Sequence, residues 1–455
     1  MEPVVTIVGG GFAGAEAAWA AAQRGVRVRL YEMRPGTPTA VHRTGNLAEP
    51  VCSNSLKSNR IENASGLLKE EMRGLGSLIL PCAEVHRVPA GEALAVEAEA
   101  FSREVTERIA ARPLIEVIRE EVTLLPPERP LILATGPLTS EPMAAVLRDL
   151  VGGDCLAFYD AVAPTVTLES LDMSLVFRAS RRGKGFDSDE PDEEGPPADY
   201  LNCPLDRDQY LALQQALAEA EVVDPHLPGE ERAPYFDACM PVEELARRGP
   251  RTLAFGPMRP IGLRDPRTGR RPYAAVQLRQ ENRAGTLWGL VGFQTRLKWP
   301  EQQRIVRMIP GMQDAEIVRY GVMHRNTYVC SPHVLLPTFE LLGKPGIYLA
   351  GQITGVEGYV ESAASGILAG LNAARALAHL PGVVPPDVTV LGSLVRYLVE
   401  TPAKRFSPMN ANYGILPPPA RTNPGAPRKG PPLRRPREAG VRRVPARPLA
   451  GPEPR

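Results

Sequence analysis

Along the first 32 residues the apolar positions change period twice. VVTIVGG, ending at Gly10, is a continuous apolar run of the buried-strand kind, the small-residue stretch EAAWAAAQRG predicts a helix closing at Gly25, and VRVRLYE alternates as a second strand. Strand, helix and strand in about 30 residues make a βαβ unit. Leu131–Gly136 and Gly346–Gly351 are two further strands that end in glycine, and the second leads into a helix over Ser362–His379. Between about Ala163 and Arg325 the alternation gives way to mixed strands and helices such as Asp208–Ala220. The pattern predicts an α/β chain: a doubly wound Rossmann-type domain over 1–162 and 326–416, interrupted by an inserted α+β domain at 163–325. Residues 417–455 hold almost nothing for a core and read as a disordered Pro/Arg-rich tail.

The chemistry starts at the first turn. Gly9-Gly10-Gly11-Phe12-Ala13-Gly14 satisfies Gly-x-Gly-x-x-Gly after an apolar strand and before a helix, the context the motif requires. Gly9 permits the tight turn, Gly11 lets backbone approach a pyrophosphate, and Gly14 lets the helix pack closely on the strand. The phosphates then meet unpaired amides at the helix N-terminus. Glu32, 18 residues after Gly14 at the end of the second strand, is placed to accept a ribose 2′-OH and would repel a 2′-phosphate. The site should therefore hold FAD or NAD. Gly136, and the run YLAGQITGVEGYV that carries Gly351, Gln352 and Gly358, favour FAD: they resemble later signatures of flavoproteins, where a helix N-terminus points at the flavin.

Composition narrows the class without changing this picture. The 455 residues are 43% hydrophobic and 23% charged, which excludes a fibrous or wholly disordered chain. The net charge of +1 is a cancellation: residues 421–455 carry +8, which leaves −7 on the rest. Asp187–Glu194 places six acids in eight residues and reads as a solvated loop. No signal peptide or spanning segment is evident, so a cytoplasmic address and no membrane association are expected. Six cysteines with no Cys-x-x-Cys pair argue against a disulfide framework or a metal site. Cys52 lies in EPVCSNSLKSN, just past the first βαβ unit, and Cys239 in YFDACMPVEELARRG, where nearby acids would raise its pKa. From these residues alone the chain is a flavoprotein with possible redox or nucleophilic thiols.

A resemblance sharpens that. GGGFAGAEAAW, YEMRP, CSNSL, NASGLLKEEMR, DYLNCPL, FDACMPVEELARRG, LVGFQTRLKWPEQ, RYGVMHRNTY and AGQITGVEGYVESAASG are similar to the TrmFO family of folate- and FAD-dependent tRNA (uracil-5-)-methyltransferases, from the N-terminus to about Tyr413. The flavin domain also resembles that of MnmG, whose helical C-terminal domain has no counterpart at 417–455. The resemblance implies methylation of C5 of uridine 54 in the tRNA T-loop, with 5,10-methylenetetrahydrofolate as carbon donor and NAD(P)H-reduced FAD as reductant. It puts the attacking thiol on Cys239 and the base that removes the C5 proton on Cys52. His324, Arg325, Asn326 and Tyr359 become candidates for holding the pteridine, and Arg296, Lys298 and Trp299 for meeting tRNA or folate. Two other readings fit the motifs: an NAD(P)H-dependent flavin oxidoreductase acting on a small molecule, and a non-catalytic tRNA-binding protein with structural FAD.

Overall fold

In the computed structural model the described residues run from 3 to 418 apart from 40, 153–155, 182–197 and 224–239, with backbone alone at 156–160 and 323–325. Cys239, the acidic stretch 187–194 and the tail beyond 418 lie outside the described residues.

Five parallel strands form the first sheet, in the order Ile347–Leu349, Leu131–Leu133, Val4–Val8, Arg27–Tyr31, Ile115–Ile118. Val4–Val8 is its central strand. Val5, Ile7, Leu30 and Leu131–Leu133 are buried, as expected of a parallel sheet covered by helices. With the first strand central, the turn at Gly9–Gly11 falls in the middle of the sheet's carboxyl edge, where open α/β sheets take ligands.

The helix after that turn is Phe12–Ala22, so it begins inside the glycine motif and ends sooner than the apolar pattern predicts. It packs on the long helix Tyr359–Leu377, which likewise begins three residues ahead of the expected Ser362. Glycine sets this approach: a Cβ on Gly366 would strike the carbonyl of Ala13, and one on Gly370 that of Ala17. The two helices share one core with the sheet.

A second sheet has six antiparallel strands: Phe177–Arg178, Tyr200–Leu205, Ala274–Gln280, Leu287–Leu290, Thr165–Thr167 and Ile317–Arg319, in that order. Helix Arg207–Glu219 packs on it, its start fixed by a reciprocal cap between Asp206 and Gln209. Trp288, Tyr210 and Leu213 anchor a core separate from the first. The chain crosses between the two bodies on the antiparallel pair Leu156–Ala161 and Met323–Tyr328.

A small sheet of Ser55–Ser58, Ala93–Val96 and Arg87–Val88 leans on the second body. There Asn54 Nδ2 donates to the Gln280 carbonyl (3.1 Å), the Gly91 amide donates to Asp199 (2.7 Å), and the Tyr200 hydroxyl donates to the Ala90 carbonyl (2.9 Å). Among the described residues no helix is long and apolar enough to cross a membrane.

Candidate active site

The glycine turn opens a crevice lined by Gly9, Gly10, Gly11, Glu32, Glu121 and Gly136. Each glycine is there for a different neighbour. Gly9 sits at φ +102° with its α-carbon against the Ala134 carbonyl, so a side chain fails on both conformation and space. Gly14 faces the Gly9 carbonyl across the first turn of the helix. At Gly11 a Cβ would meet nothing within 4 Å, so the space beside it is open crevice. Helix Phe12–Ala22 has neither a side-chain cap nor an acid in its first turn, which leaves its first amides and the positive end of its dipole facing that space.

Glu32 is fixed before any ligand arrives. It is buried; one oxygen accepts the Gly10 amide (2.9 Å), the other accepts Arg34 through its backbone amide (3.0 Å) and Nε (2.8 Å). Burial alone would raise its pKa, but the hydrogen bonds and charge of Arg34 outweigh it and hold the carboxyl below the ordinary value, so it is ionised. Arg34 is steadied in turn by Glu49 at 3.2 Å. Three bonds leave the carboxylate room for one more donor.

Cys52 meets the start of the long helix. Tyr359, the first residue after Gly358 (φ +117°), accepts the backbone amides of Val51 (2.8 Å), Cys52 (2.9 Å) and Ser53 (3.4 Å) on its hydroxyl oxygen, and that oxygen lies 3.2 Å from Cys52 Sγ. Burial, then the neighbouring Cys52, push the Tyr359 pKa well above its ordinary value, so the phenol keeps its proton. With its lone pairs engaged by amides, that proton is free to point at the sulfur, and a hydrogen bond from Tyr359 favours the thiolate. The Tyr359 ring stacks on Phe12 at 4.6 Å, which sets the N-termini of both long helices side by side.

Lys57 and Lys69 lock the segment that carries Cys52. Lys57 Nζ is 2.8 Å from the buried Glu361, which also accepts the Ala411 amide, and Lys69 Nζ donates to the Ser58 carbonyl at 2.7 Å. Lys69 is fully buried, and its ammonium is pushed down to about 7 by that burial.

The structure brings Gly9, Gly10, Gly11, Glu32 and Gly136 to one crevice, with Phe12, Ala13 and Gly14 in the buried helix turn that follows and Gly351 against that turn, where a Cβ would meet Ala13 at 2.9 Å. Gln352 turns away to hydrogen-bond Glu357 (2.6 Å), and Gly358 starts the helix that Cys52 touches. Cys239 lies outside the described residues, as do the side chains of His324 and Arg325. Asn326 is fully buried, with neither amide atom partnered among the described residues. Its strand runs between the glycine turns, Thr327 donating to Pro137 (3.3 Å) and Val329 to Ile353 (2.8 Å). Arg296 and Lys298 are taken up in ion pairs with Glu244 and Glu221, and Trp299 stacks on Tyr320 at 5.0 Å while 59% exposed.

Arg34, Glu49, Lys57, Lys69 and Glu361 escape a reading of the sequence, because their partners are set by the fold and by no local spacing. The open space at Gly11, the uncapped helix, the fixed Glu32 and the orphaned Asn326 amide together fit a bound dinucleotide.

Residues 4–381 match the family described as glucose inhibited division protein A. A protein of Symbiobacterium thermophilum is 56% identical over 92% of this chain and 91% of its own, and one of Pelotomaculum thermopropionicum is 57% identical over 91% and 92%; both are named methylenetetrahydrofolate–tRNA-(uracil-5-)-methyltransferase TrmFO. The chain belongs to this family, and within it to the TrmFO proteins. The resemblance read from the motifs is thus borne out. Among solved structures, Aquifex aeolicus GidA superposes with a TM-score of 0.66 over 87% of this chain and 67% of its own, at 16% identity. That likeness shows a shared fold, and the expected Rossmann-type α/β architecture stands with it.

Proposed function

We propose that this TrmFO-family chain methylates C5 of uracil in tRNA, at uridine 54 of the T-loop, with 5,10-methylenetetrahydrofolate as carbon donor and NAD(P)H as the source of electrons. One observation carries the reading beyond the family name: a thiol, Cys52, held against a protonated phenol beside the turn that fits FAD. We also read residues 1–162 and 326–416 as the cofactor-binding body and 163–325 as the inserted substrate body, a division supported by their separate cores.

Bound FAD supplies the electrons that convert a methylene into a methyl group. The chain's own residues do the rest. The amides of the first helical turn hold the pyrophosphate, and Glu32 holds the ribose. C5 of uracil is a poor nucleophile until a thiolate adds to C6, and Cys239 takes that role. Cys52, as thiolate, removes the C5 proton, with Tyr359 stabilising the anion before the transfer. A folded tRNA buries its target, so the base must be turned out of the loop to reach the thiols.

The test is to incubate the FAD-loaded protein with NAD(P)H, methylenetetrahydrofolate and unmodified tRNA, and assay 5-methyluridine by nucleoside mass spectrometry. Product that depends on all three, and that disappears in Cys239→Ala while the protein stays yellow, supports the reading. Turnover of NAD(P)H with a soluble acceptor and no folate or tRNA dependence would replace it with a small-molecule oxidoreductase.

A further inference from the structure

A second cleft lies where the small sheet meets the six-stranded sheet, away from the crevice at Gly9–Gly11. Its walls are Ser58 and Gly91 on one side and Ser180, Arg181, Tyr200 and Arg259 on the other, with Gln277 in the floor. The backbone is tied on both sides: the Gly91 amide to Asp199 and the Tyr200 hydroxyl to the Ala90 carbonyl. Gln277 is pinned by its bond to Asn202 at 2.8 Å. The cleft is thus a fixed feature of the fold.

Among the described residues its lining holds two arginines, Arg181 and Arg259, and one acid, Glu92. Arg181 Nη2 donates to the Pro257 carbonyl at 2.8 Å, but Nε is buried with no acceptor among the described residues. The acid in the lining, Glu92, pairs with Arg60 at 3.2 Å. Burial and the nearby Arg259 push the Arg181 guanidinium down to about 10, so two cations share one cleft. A buried guanidinium N–H left unbonded is destabilising, and a planar fork of donors beside a second arginine matches an oxyanion with several acceptor oxygens.

We propose that Arg181 and Arg259 bind a backbone phosphate of the tRNA substrate. The inference rests on the reading of tRNA as substrate. The small strand supports it: Ser58 is six residues from Cys52, a span of at most roughly 20 Å of extended chain. A nucleic acid that delivers a base to Cys52 carries phosphates to either side at that range. The bond from Asn54 to the Gln280 carbonyl holds the strand between the two points.

Arg259 is exposed, so Arg259→Gln tests the cleft without disturbing the fold; Arg181→Gln is the stronger variant. Binding of unmodified tRNA to the FAD-loaded protein is measured from 50 to 200 mM salt, beside KM values for tRNA and for methylenetetrahydrofolate. Expected are roughly five- to tenfold weaker tRNA binding per variant and a salt slope reduced by about 1, with flavin absorbance and the folate KM unchanged. Wild-type affinity and slope in Arg259→Gln overturn the proposal. So does a change confined to the folate KM, which would give the cleft to a glutamyl carboxylate. If the wild-type protein neither binds nor methylates tRNA, the functional reading falls and this inference with it; if only the variants behave as wild type, the inference alone falls.

Discussion

At the scale of single residues, the pairing of Cys52 with Tyr359 is the feature most exposed to test. The two are 307 positions apart, and nothing local in either segment announces the other. The thiols were legible as candidates, but their surroundings were not: Cys82 and Cys203 are buried, and burial pushes each up to about 12, which leaves them as small apolar side chains. Cys52 instead faces a phenol and a cluster of polar backbone. Tyr359→Phe keeps the ring on Phe12 and removes the oxygen that three amides share. The expected outcome is a stability loss of about 1–3 kcal/mol from the stranded amides, read by thermal denaturation. Flavin should be retained, and 5-methyluridine formation should fall at least tenfold. A variant that loses stability but methylates at full rate would make the hydroxyl a loop fastener with no part in the chemistry.

At the scale of elements, the approach of helix Phe12–Ala22 to helix Tyr359–Leu377 sets the geometry of the crevice. Helix Phe12–Ala22 opens on it with an uncapped N-terminus, and the two helices approach closely because Gly366 and Gly370 carry no side chain. Gly366→Ala should push the helices apart and cost about 1–3 kcal/mol. Because the displaced turn is the one that faces the dinucleotide, purified protein should also carry less flavin by its visible absorbance. Unchanged melting temperature and flavin content would mean the helices have slack that the packing does not reveal. The elements themselves were legible where one period ran unbroken: Val4–Val8, Arg27–Tyr31 and Leu131–Leu133 sit where the apolar pattern puts them. Helix starts were not: the apolar pattern begins the two helices at Glu16 and Ser362, whereas they start at Phe12 and Tyr359. In the structure Gly14 lies inside the first helix, where a side chain would strike the Gly9 carbonyl, and Gly358 is the last residue before the second. The partners of Glu32 stayed hidden for a related reason: Arg34 is two residues away, but the fold alone decides that it curls back onto the carboxylate.

At the scale of the whole molecule, stability should depend on pH through a carboxyl that no motif marks. Glu16 lies in the middle of helix Phe12–Ala22, fully buried, and accepts the Ser77 hydroxyl and the amides of Leu78 and Ile79 (both 3.0 Å), so it joins the first helix to the start of helix Ile79–Val85. Burial pushes it up to about 7 from 4.5, against the pull of those hydrogen bonds. The folded protein therefore keeps a proton there that the unfolded chain gives up at the lower value. Between these two values the unfolded state binds fewer protons, so this group's contribution is complete below about pH 4.5 and is lost as pH rises through about 7, at about 1.4 kcal/mol per pH unit. Carboxyls held low, Glu32 among them, act in the opposite sense and lose their contribution as pH falls, so the total curve is a sum of both. A difference isolates the buried group. Glu16→Gln keeps one acceptor oxygen for the Ile79 amide and the Ser77 hydroxyl and sets its NH2 toward the Leu78 amide, a cost that does not change with pH, and it cannot ionise. Relative to wild type, the variant should gain roughly 2–3 kcal/mol between pH 5 and pH 7.5, read as a growing gap in melting temperature or denaturant midpoint. Parallel curves for the two proteins across that range would show that Glu16 is ionised in the native state and that the helix junction tolerates its charge.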